Sequence, residues 1–246
     1  MELSHQPETG TGTFGTDLPR RLVAEALGTA LLLVAIVGSG IMASRQTPDD
    51  TGLQLLENAA ATAGALIALI LVFGAVSGAH FNPVVTLIDL AYGNISARDT
   101  AAYIAAQITG GCLGVVVANL MFDLPAITPS QTDRSSGALW FSEVVATVGL
   151  LLVIHGCIRG RRANVVAFAV GLWIGSAYWF TSSTSFANPA VTIARTLSDT
   201  FAGIAPSSAP MFILMQLIGA AIAYAFITFL YPSEPSNRPS PGGSDA

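Results

Sequence analysis

Lysine is absent from the sequence, and charged residues of any kind are scarce. The 246-residue chain has 10% charged and 52% hydrophobic residues, and its net charge is −5. This small, dispersed charge excludes a basic nucleic-acid-binding surface and gives no reason to expect an acidic substrate. Soluble domains carry about 25% charged residues. The composition therefore indicates a protein that lies in a lipid bilayer.

Cysteine is also rare. Cys112 and Cys157 both fall in apolar stretches, which excludes a disulfide framework and a metal-binding spacing. The apolar part of the sequence contains no nucleophile–base pair, metal cluster or phosphate-binding loop. We therefore expect neither an enzyme nor a bound cofactor. The N-terminus lacks a basic segment followed by an apolar one, so no cleavable signal peptide is expected.

Six apolar runs approach the roughly 20 residues that a membrane-spanning helix needs. They are residues 22–43, 55–76, 100–122, 139–158, 165–181 and 210–231. Six spans place both ends of the chain on one side, and most arginines flank the spans on that side. The positive-inside rule then predicts cytoplasmic termini in the plasma or inner membrane. Residues 1–18 and 232–246 are polar and predicted to be disordered tails.

Two further apolar segments, 81–92 and 186–198, are too short to cross a bilayer and are predicted to be re-entrant. Their sequences are nearly the same: Asn82-Pro83-Val84-Val85-Thr86 and Asn188-Pro189-Ala190-Val191-Thr192. Because each half of the chain contains three spans, the second copy must enter the membrane upside down. The sequence thus predicts an inverted repeat with halves at 19–125 and 136–231.

Each Asn-Pro pair predicts the start of a short helix, because asparagine caps helix N-termini and proline suits the first helical turn. In an inverted repeat the two starts meet near the middle of the bilayer, where irregular backbone needs a cavity or protein around it. The residues assigned to this pore centre are Asn82, Pro83, Val84, Asn188, Pro189 and Ala190. The positive helix ends and the asparagine amides favour neutral oxygen-bearing solutes and disfavour cations and protons.

These features together resemble the aquaporin and aquaglyceroporin family. The resemblance rests on the six spans, the inverted repeat and the two Asn-Pro motifs, and it covers nearly everything except the tails. A bacterial-type member of this family would be an all-α membrane protein with six transmembrane helices and two re-entrant half-helices. The resemblance implies a passive channel for small neutral solutes. It also implies a homotetramer in lipid, with one pore per subunit.

The resemblance gives roles to three polar residues in the apolar part of the chain. Glu25 and Glu143 match family glutamates that hydrogen-bond the backbone of the re-entrant loops. The alternative is a proton-coupling acid of the kind that secondary transporters use. His80 matches a position that lines the cytoplasmic half of the pore, where gating by protonation is an alternative to a wall position. His155 has no visible acidic partner and is interpreted as a packed histidine.

The resemblance also identifies an outer constriction. Water-selective relatives have an arginine directly after the second Asn-Pro-Ala, and glycerol-conducting relatives keep it opposite an aromatic side chain. This sequence has Val191 there. The other constriction positions fall at Thr62, at Ser176 or Gly175, and at Ser185. All are small and uncharged, which predicts a wide opening. Water, glycerol, urea and undissociated metalloid acids such as arsenite are then the expected cargo.

Arg195 lies four residues after Val191, and so one helical turn nearer the outer mouth. It is a candidate for a displaced cationic collar, or for an ion pair with Asp199.

Aromatic residues also crowd the outer half of the fifth span: Trp173, Tyr178, Trp179 and Phe180. This clustering favours an interfacial aromatic belt over a wall that contacts solute.

Two other functions stay open at the level of sequence. One is a water-selective channel with a rearranged constriction, in which Arg195 narrows the opening. The other is a proton-coupled secondary transporter that uses the paired glutamates. A membrane scaffold of the same fold would conduct no solute, so measurements of solute flux separate these possibilities from a channel for polyols.

Overall fold

The structure is a computed structural model that describes residues 17–232, and all its regular elements in that range are helical. The α-helices are α1 (Leu18–Gln46), α2 (Thr51–Ser77), α3 (Pro83–Ala91), α4 (Ala97–Met121), α5 (Gly137–Arg159), α6 (Val166–Phe180), α7 (Pro189–Ala194) and α8 (Ala209–Leu230). Two short 3-10 helices, Ala163–Val165 and Arg195–Leu197, precede α6 and follow α7.

Six helices are long and apolar enough to cross a membrane: α1, α2, α4, α5, α8, and α6 together with its preceding 3-10 turn. Each corresponds to one of the six predicted spans. The predicted tails lie almost entirely outside the described residues, although Leu18 already belongs to α1. We call the side where α1 begins and α8 ends the terminal side, and the other the opposite side.

The two re-entrant segments form helices that are too short to span a bilayer. α3 has nine residues and α7 has six, which gives lengths of about 14 Å and 9 Å. α3 runs from the middle of the protein to the terminal side, and α7 runs from the middle to the opposite side. The predicted fold of six spans and two half-helices in an inverted repeat is therefore confirmed.

Local capping chemistry explains where several helices begin. The side chains of Asp50, Ser96 and Ser136 each accept a hydrogen bond from a backbone N–H in the first turn of α2, α4 and α5, respectively. These bonds satisfy donors that a helix start otherwise leaves unpaired. α2 ends at Ser77 and is followed by Gly78, whose φ of 88° lies in the left-handed region that glycine adopts without strain.

The two halves pack through equivalent helix pairs, α1 against α4 and α5 against α8. Glycines allow both contacts. A Cβ atom on Gly110 would lie 2.1 Å from the Ala26 carbonyl oxygen, and one on Gly219 would lie 2.9 Å from the Val144 carbonyl oxygen. Small residues at these crossings bring the helix backbones together, as is common in membrane bundles.

The outer surface of the bundle is apolar. Large side chains such as Phe141, Leu172 and Phe229 are more than half exposed in the isolated chain. A surface of this kind would be unstable in water but suits contact with lipid or with another membrane-embedded surface. The polar residues with specific contacts lie inside the bundle instead, around the two half-helices.

Candidate functional site

The two half-helices meet through a reciprocal pair of hydrogen bonds. The Asn82 side-chain nitrogen donates to the Ala187 carbonyl, and the Asn188 side-chain nitrogen donates to the Phe81 carbonyl, each over 2.8 Å. Each asparagine also caps its own helix through its side-chain oxygen. An amide NH2 group has two N–H donors. One donor per asparagine is therefore engaged in tying the halves together, and the second is left for another acceptor.

The loops that lead into these half-helices have an unusual backbone. Ala79 and Phe81 in the first loop, and Ser185 and Ala187 in the second, all have φ between 49° and 53°. Non-glycine residues rarely adopt this left-handed region, because Cβ crowds the carbonyl oxygen. The same strained geometry occurs twice, at corresponding positions, so each loop needs partners that hold its backbone in place.

Glu25 is the partner of the first loop. One of its carboxylate oxygens accepts hydrogen bonds from the Ser77 hydroxyl at 2.6 Å and from the His80 N–H at 3.0 Å. The other accepts from the Phe81 N–H at 2.7 Å and from the Gln107 side chain at 2.8 Å. The buried carboxylate thus satisfies backbone donors that would otherwise be unpaired in the protein interior.

Glu143 makes the same set of contacts to the second loop. Its first oxygen accepts from the Ser183 hydroxyl at 2.6 Å and the Phe186 N–H at 3.0 Å. Its second accepts from the Ala187 N–H at 2.9 Å and the Gln216 side chain at 2.6 Å. Neither Glu25 nor Glu143 is exposed, and neither borders the central cavity. Both carboxylates therefore act on the loops and not on the contents of the cavity.

A cavity of ≈ 170 Å³ passes between the two half-helices. Most of its wall is aliphatic, with polar side chains at the centre and at both ends. The polar side chains that border it are Thr62, His80, Asn82, Asp89, His155, Tyr178, Ser185, Asn188 and Arg195. The two asparagines lie at the centre, where the N-termini of α3 and α7 carry partial positive charge.

The end of the cavity on the opposite side is bordered by Thr62, Tyr178, Ser185, Val191 and Arg195. The Tyr178 hydroxyl donates to the Thr62 hydroxyl over 3.3 Å. The Ser185 hydroxyl is buried and has no hydrogen-bond partner among the described residues. A buried hydroxyl without a partner is costly, so this end offers polar groups to a molecule in the cavity. We refer to these five residues as the filter.

Arg195 is held at the filter by the loop that follows it. Its Nε donates to the Ala202 carbonyl, and its guanidinium carbon lies 3.5 Å from the ring centre of Phe186. Arg134 stacks on the same ring at 5.1 Å. Within the described part of the chain no ion pair joins Arg195 to Asp199, whose carboxylate accepts from the backbone of Gln131. The Arg195 side chain thus borders the cavity as a buried cation.

The structure contradicts the expected pore position of Ser176. This residue borders a separate surface groove together with Leu172 and Trp173. Gly175 does not border the cavity either, since a Cβ at that position would lie 3.1 Å from the Cβ of Ala63 in α2. The residue of α6 that reaches the filter is Tyr178, two positions further along the chain. A step of two residues rotates a side chain by about 200° around a helix.

The aromatic-belt interpretation is therefore wrong for Tyr178, which is 3% exposed, whereas Trp179 and Phe180 lie on the surface. The sequence does not single out this residue, because the other faces of α6 are also apolar. α6 borders the cavity with Val166, Val170, Ile174 and Tyr178, a strict spacing of four residues that marks one helix face.

The terminal side of the cavity holds a second polar group. His80 approaches the Thr86 hydroxyl with Nδ1 at 3.1 Å and the Asp89 carboxylate with Nε2 at 3.0 Å. His155 also borders the cavity, and its Nε2 is buried without a partner among the described residues. The packed interpretation of His155 is thus incomplete, and Asp89 was not among the residues that sequence reasoning selected.

Comparison with known proteins agrees with this geometry. The family model described as major intrinsic protein matches residues 15–181 and 157–242. The chain is 49% identical to aquaglyceroporin AqpS of Rhizobium meliloti (strain 1021), over 90% of this chain and 95% of the relative. It is 32% identical to aquaporin A of Dictyostelium discoideum, over 68% and 63% of the two chains.

A solved structure shares the fold. The aquaglyceroporin from Plasmodium falciparum superposes with a TM-score of 0.68 at 22% identity, covering 88% of this chain and 96% of that one. The family match extends over both halves of the bundle, and the relative from Rhizobium meliloti spans nearly the same length. The chain therefore belongs to the major intrinsic protein family, whose members are passive channels and not enzymes.

Proposed function

We propose that this channel conducts small uncharged solutes that carry several hydroxyl groups, such as glycerol, together with water and urea-like molecules. The observation that carries the proposal is Val191, an aliphatic side chain at the filter position. The resemblance places an arginine there in water-selective and glycerol-conducting relatives alike, so we expect a wider opening than in either. The name of the relative that is 49% identical, an aquaglyceroporin, supports the same solute class.

The chemistry of the filter suits a polyol. Val191 and the ring of Tyr178 offer apolar surface, while the hydroxyls of Thr62, Tyr178 and Ser185 offer hydrogen bonds. Glycerol likewise has a carbon backbone on one side and hydroxyls on the other. The Ser185 hydroxyl is buried without a partner within the described residues, so a rotation of this side chain towards the cavity would let a solute hydroxyl satisfy it. Undissociated metalloid acids such as arsenite present the same hydroxyl groups and belong to the proposed solutes.

Charged solutes and protons face two barriers in this proposal. The N-termini of α3 and α7 direct partial positive charge towards the centre, and Arg195 adds a full charge at the filter. Asn82 and Asn188 each retain one N–H for an oxygen in the cavity. A water molecule held by both donors cannot readily pass a proton along, so proton conduction is interrupted.

A water-selective channel is the second candidate, and Arg195 favours it. The guanidinium borders the same cavity as Val191, so it would narrow the opening if it reached towards Tyr178. Its Nε bond to Ala202 and its stacking on Phe186 hold it along the loop instead. A proton-coupled transporter is disfavoured, because Glu25 and Glu143 are fully engaged by the two loops.

We propose that the terminal side faces the cytoplasm. Arginines at 20, 21, 98, 159, 161 and 162 lie on that side, and the positive-inside rule places such residues in the cytoplasm. Location in the cell membrane and assembly as a homotetramer belong to the same proposal. The exposed apolar surface of the bundle supports contact with lipid and with neighbouring subunits.

Stopped-flow light scattering on proteoliposomes tests the solute class. We expect rapid entry of water, glycerol, urea and arsenite in the wild type. Val191→Arg should suppress glycerol entry by tenfold or more, roughly the effect of a barrier raised by 1.4 kcal/mol, and water entry much less. Val191→Met is the matched control, because it has a long side chain without the charge.

Fast water flux in a wild type that excludes glycerol and urea would overturn the proposal in favour of the water-selective channel. Equal suppression by Val191→Arg and Val191→Met would show that size alone, and not charge, controls the filter. A dependence of glycerol uptake on an imposed proton gradient would instead indicate a coupled transporter.

A further inference from the structure

We infer that the cavity contains a second solute-binding station on the terminal side, formed by Asp89 and His155 and positioned by His80. Its ligand is a hydroxyl-bearing neutral solute, to which Asp89 offers an acceptor and His155 a donor. The inference rests on the proposed function, because it assumes that polyols pass through the cavity. A site far from the filter would then also help to select among polyols.

The first observation is an unpaired polar side chain. His155 is 3% exposed and borders the cavity, and neither of its ring nitrogens hydrogen-bonds the described part of the protein. The rings of Tyr92 and His155 pack at a steep angle, with their centroids 5.6 Å apart. Burial of an imidazole without partners is unfavourable, which makes a ligand oxygen a suitable partner.

The second observation is a carboxylate in the same wall. Asp89 borders the cavity and its side chain stays 20% exposed. Its oxygens contact His80 at 3.0 Å and the Asn94 side chain at 3.1 Å. A carboxylate has about four lone-pair sites, so both oxygens can accept a further hydrogen bond. The station thus presents acceptors and donors together.

His80 positions the carboxylate and does not itself provide the binding group. Since a carboxylate only accepts, the His80 nitrogen that faces Asp89 carries the proton. The other ring nitrogen is directed at the Thr86 hydroxyl. The ring is therefore held at both nitrogens, and it fixes Asp89 at one place on the wall.

The surrounding wall is aliphatic, which is why the station would discriminate among solutes. Ile70, Ile154, Ile158 and Val166 border this side of the cavity. Water molecules that pass in single file hydrogen-bond one another, so they depend little on the wall for hydrogen bonds. A polyol that fills the cross-section must leave its water behind, and it depends on the wall for hydrogen bonds. Loss of a wall group should therefore slow glycerol more than water.

Glycerol and water permeabilities of reconstituted variants test the inference. His155→Leu should lower the ratio of glycerol to water permeability about fivefold, the effect of one net hydrogen bond. Asp89→Leu should lower it by a similar factor. His155→Gln, which restores a donor and an acceptor, should recover the wild-type ratio to within about twofold. Leu152→Ile is the control for an apolar change on the same helix but outside the cavity, and it should leave the ratio unaltered.

An unchanged ratio in His155→Leu, or the same fall in His155→Leu and His155→Gln, would overturn the station. The elution volume and unfolding temperature of each variant show whether it is folded before its flux is compared. If the wild type conducts glycerol and Val191→Arg blocks it while His155→Leu has no effect, only the station fails. A wild type that conducts water alone would overturn the station and the proposed polyol filter together.

Discussion

The loops before α3 and α7 are built in the same way, yet the cavity walls beyond them differ. In both loops a buried glutamate accepts from a serine hydroxyl, two backbone N–H groups and a glutamine side chain. At the cavity, however, the position of His80 in the first repeat is that of Phe186 in the second, and Asp89 corresponds to Arg195. The scaffold is duplicated, whereas the groups that meet a solute have diverged.

The difference has a physical basis. Backbone donors in a membrane interior must be satisfied whatever passes through the pore, so both loops keep their acceptors. The groups on the wall are constrained only by the solute. One end of the cavity presents an anionic side chain held by an imidazole, and the other presents a cationic side chain held on a phenyl ring. The four predictions below test this contrast, in order of decreasing effect.

The largest effect is expected where the two repeats agree. Glu25→Gln and Glu143→Gln each replace a carboxylate oxygen with an NH2 group that faces other donors. Each should destabilise the protein by on the order of 3 kcal/mol, because two buried donors lose their acceptor and face an NH2 group instead. Thermal unfolding in detergent measures this loss. Glu57→Gln removes the same charge from a side chain that makes no such bonds to the described residues, so it should have little effect. Unequal losses in the two loops would break the comparison.

The tightness of helix packing should distinguish the repeats more subtly. A Cβ on Gly110 would approach the Ala26 carbonyl to 2.1 Å, but one on Gly219 would stay 2.9 Å from the Val144 carbonyl. We expect Gly110→Ala to cost about 3 kcal/mol and Gly219→Ala about 1 kcal/mol, within the range for overpacked positions. The order of the two unfolding temperatures is the test. Gly64→Ala, which has open space around its Cβ, is the control.

The charges of Asp89 and Arg195 should differ in their effect on proton leak. Arg195→Met removes a cation from the filter, so proton leak into dye-loaded proteoliposomes should rise severalfold, while the central barrier still limits it. Asp89→Asn should produce no rise. Arg45→Met removes a charge from the same side of the protein but outside the cavity, and it serves as the control. A rise of equal size in Arg45→Met would mean that general surface charge, and not the filter, excludes protons.

The smallest effect concerns the loop that joins the repeats. Hydrogen bonds from the hydroxyls of Ser135 and Ser208 hold the pKa of Asp133 below its usual value. A lowered pKa in the folded protein means that the bonds stabilise it above the unfolded pKa of about 3.9. That stabilisation is lost as the pH falls through the folded pKa.

Asp133→Asn should therefore lower the unfolding temperature slightly at pH 7 and leave it unchanged well below pH 4, where the wild-type carboxyl is protonated. The control is Asp49→Asn, in an exposed turn between α1 and α2. A difference between wild type and Asp133→Asn that persists at low pH would show that shape, and not charge, matters at this position.

The sequence predicts the scaffold of this protein better than its wall. Span lengths and the Asn-Pro pairs suffice for six helices and two half-helices, because apolar length and capping are local properties. Which side chains form the cavity wall depends on which face of each helix turns towards the cavity. α6 is apolar on all sides, so composition could not separate Ser176 from Tyr178.

The polar groups of the terminal side were missed for another reason. His155 has no acidic neighbour in sequence, and its relation to Asp89 exists only once α3 and α5 border one cavity. The repeat itself offered a clue: alignment of Asn82 with Asn188 also aligns Asp89 with Arg195. Continuing that alignment beyond the motifs would have marked both as a pair worth examining.

The reciprocal bonds of Asn82 and Asn188 have a consequence for the origin of the fold. Each half donates one amide to a carbonyl of the other and receives one in return. A contact of this kind is isologous, since the same two groups meet twice about a two-fold axis. A single half-length chain that inserted in both orientations could form it between two separate molecules. The centre of this single chain therefore has the symmetry of a dimer interface.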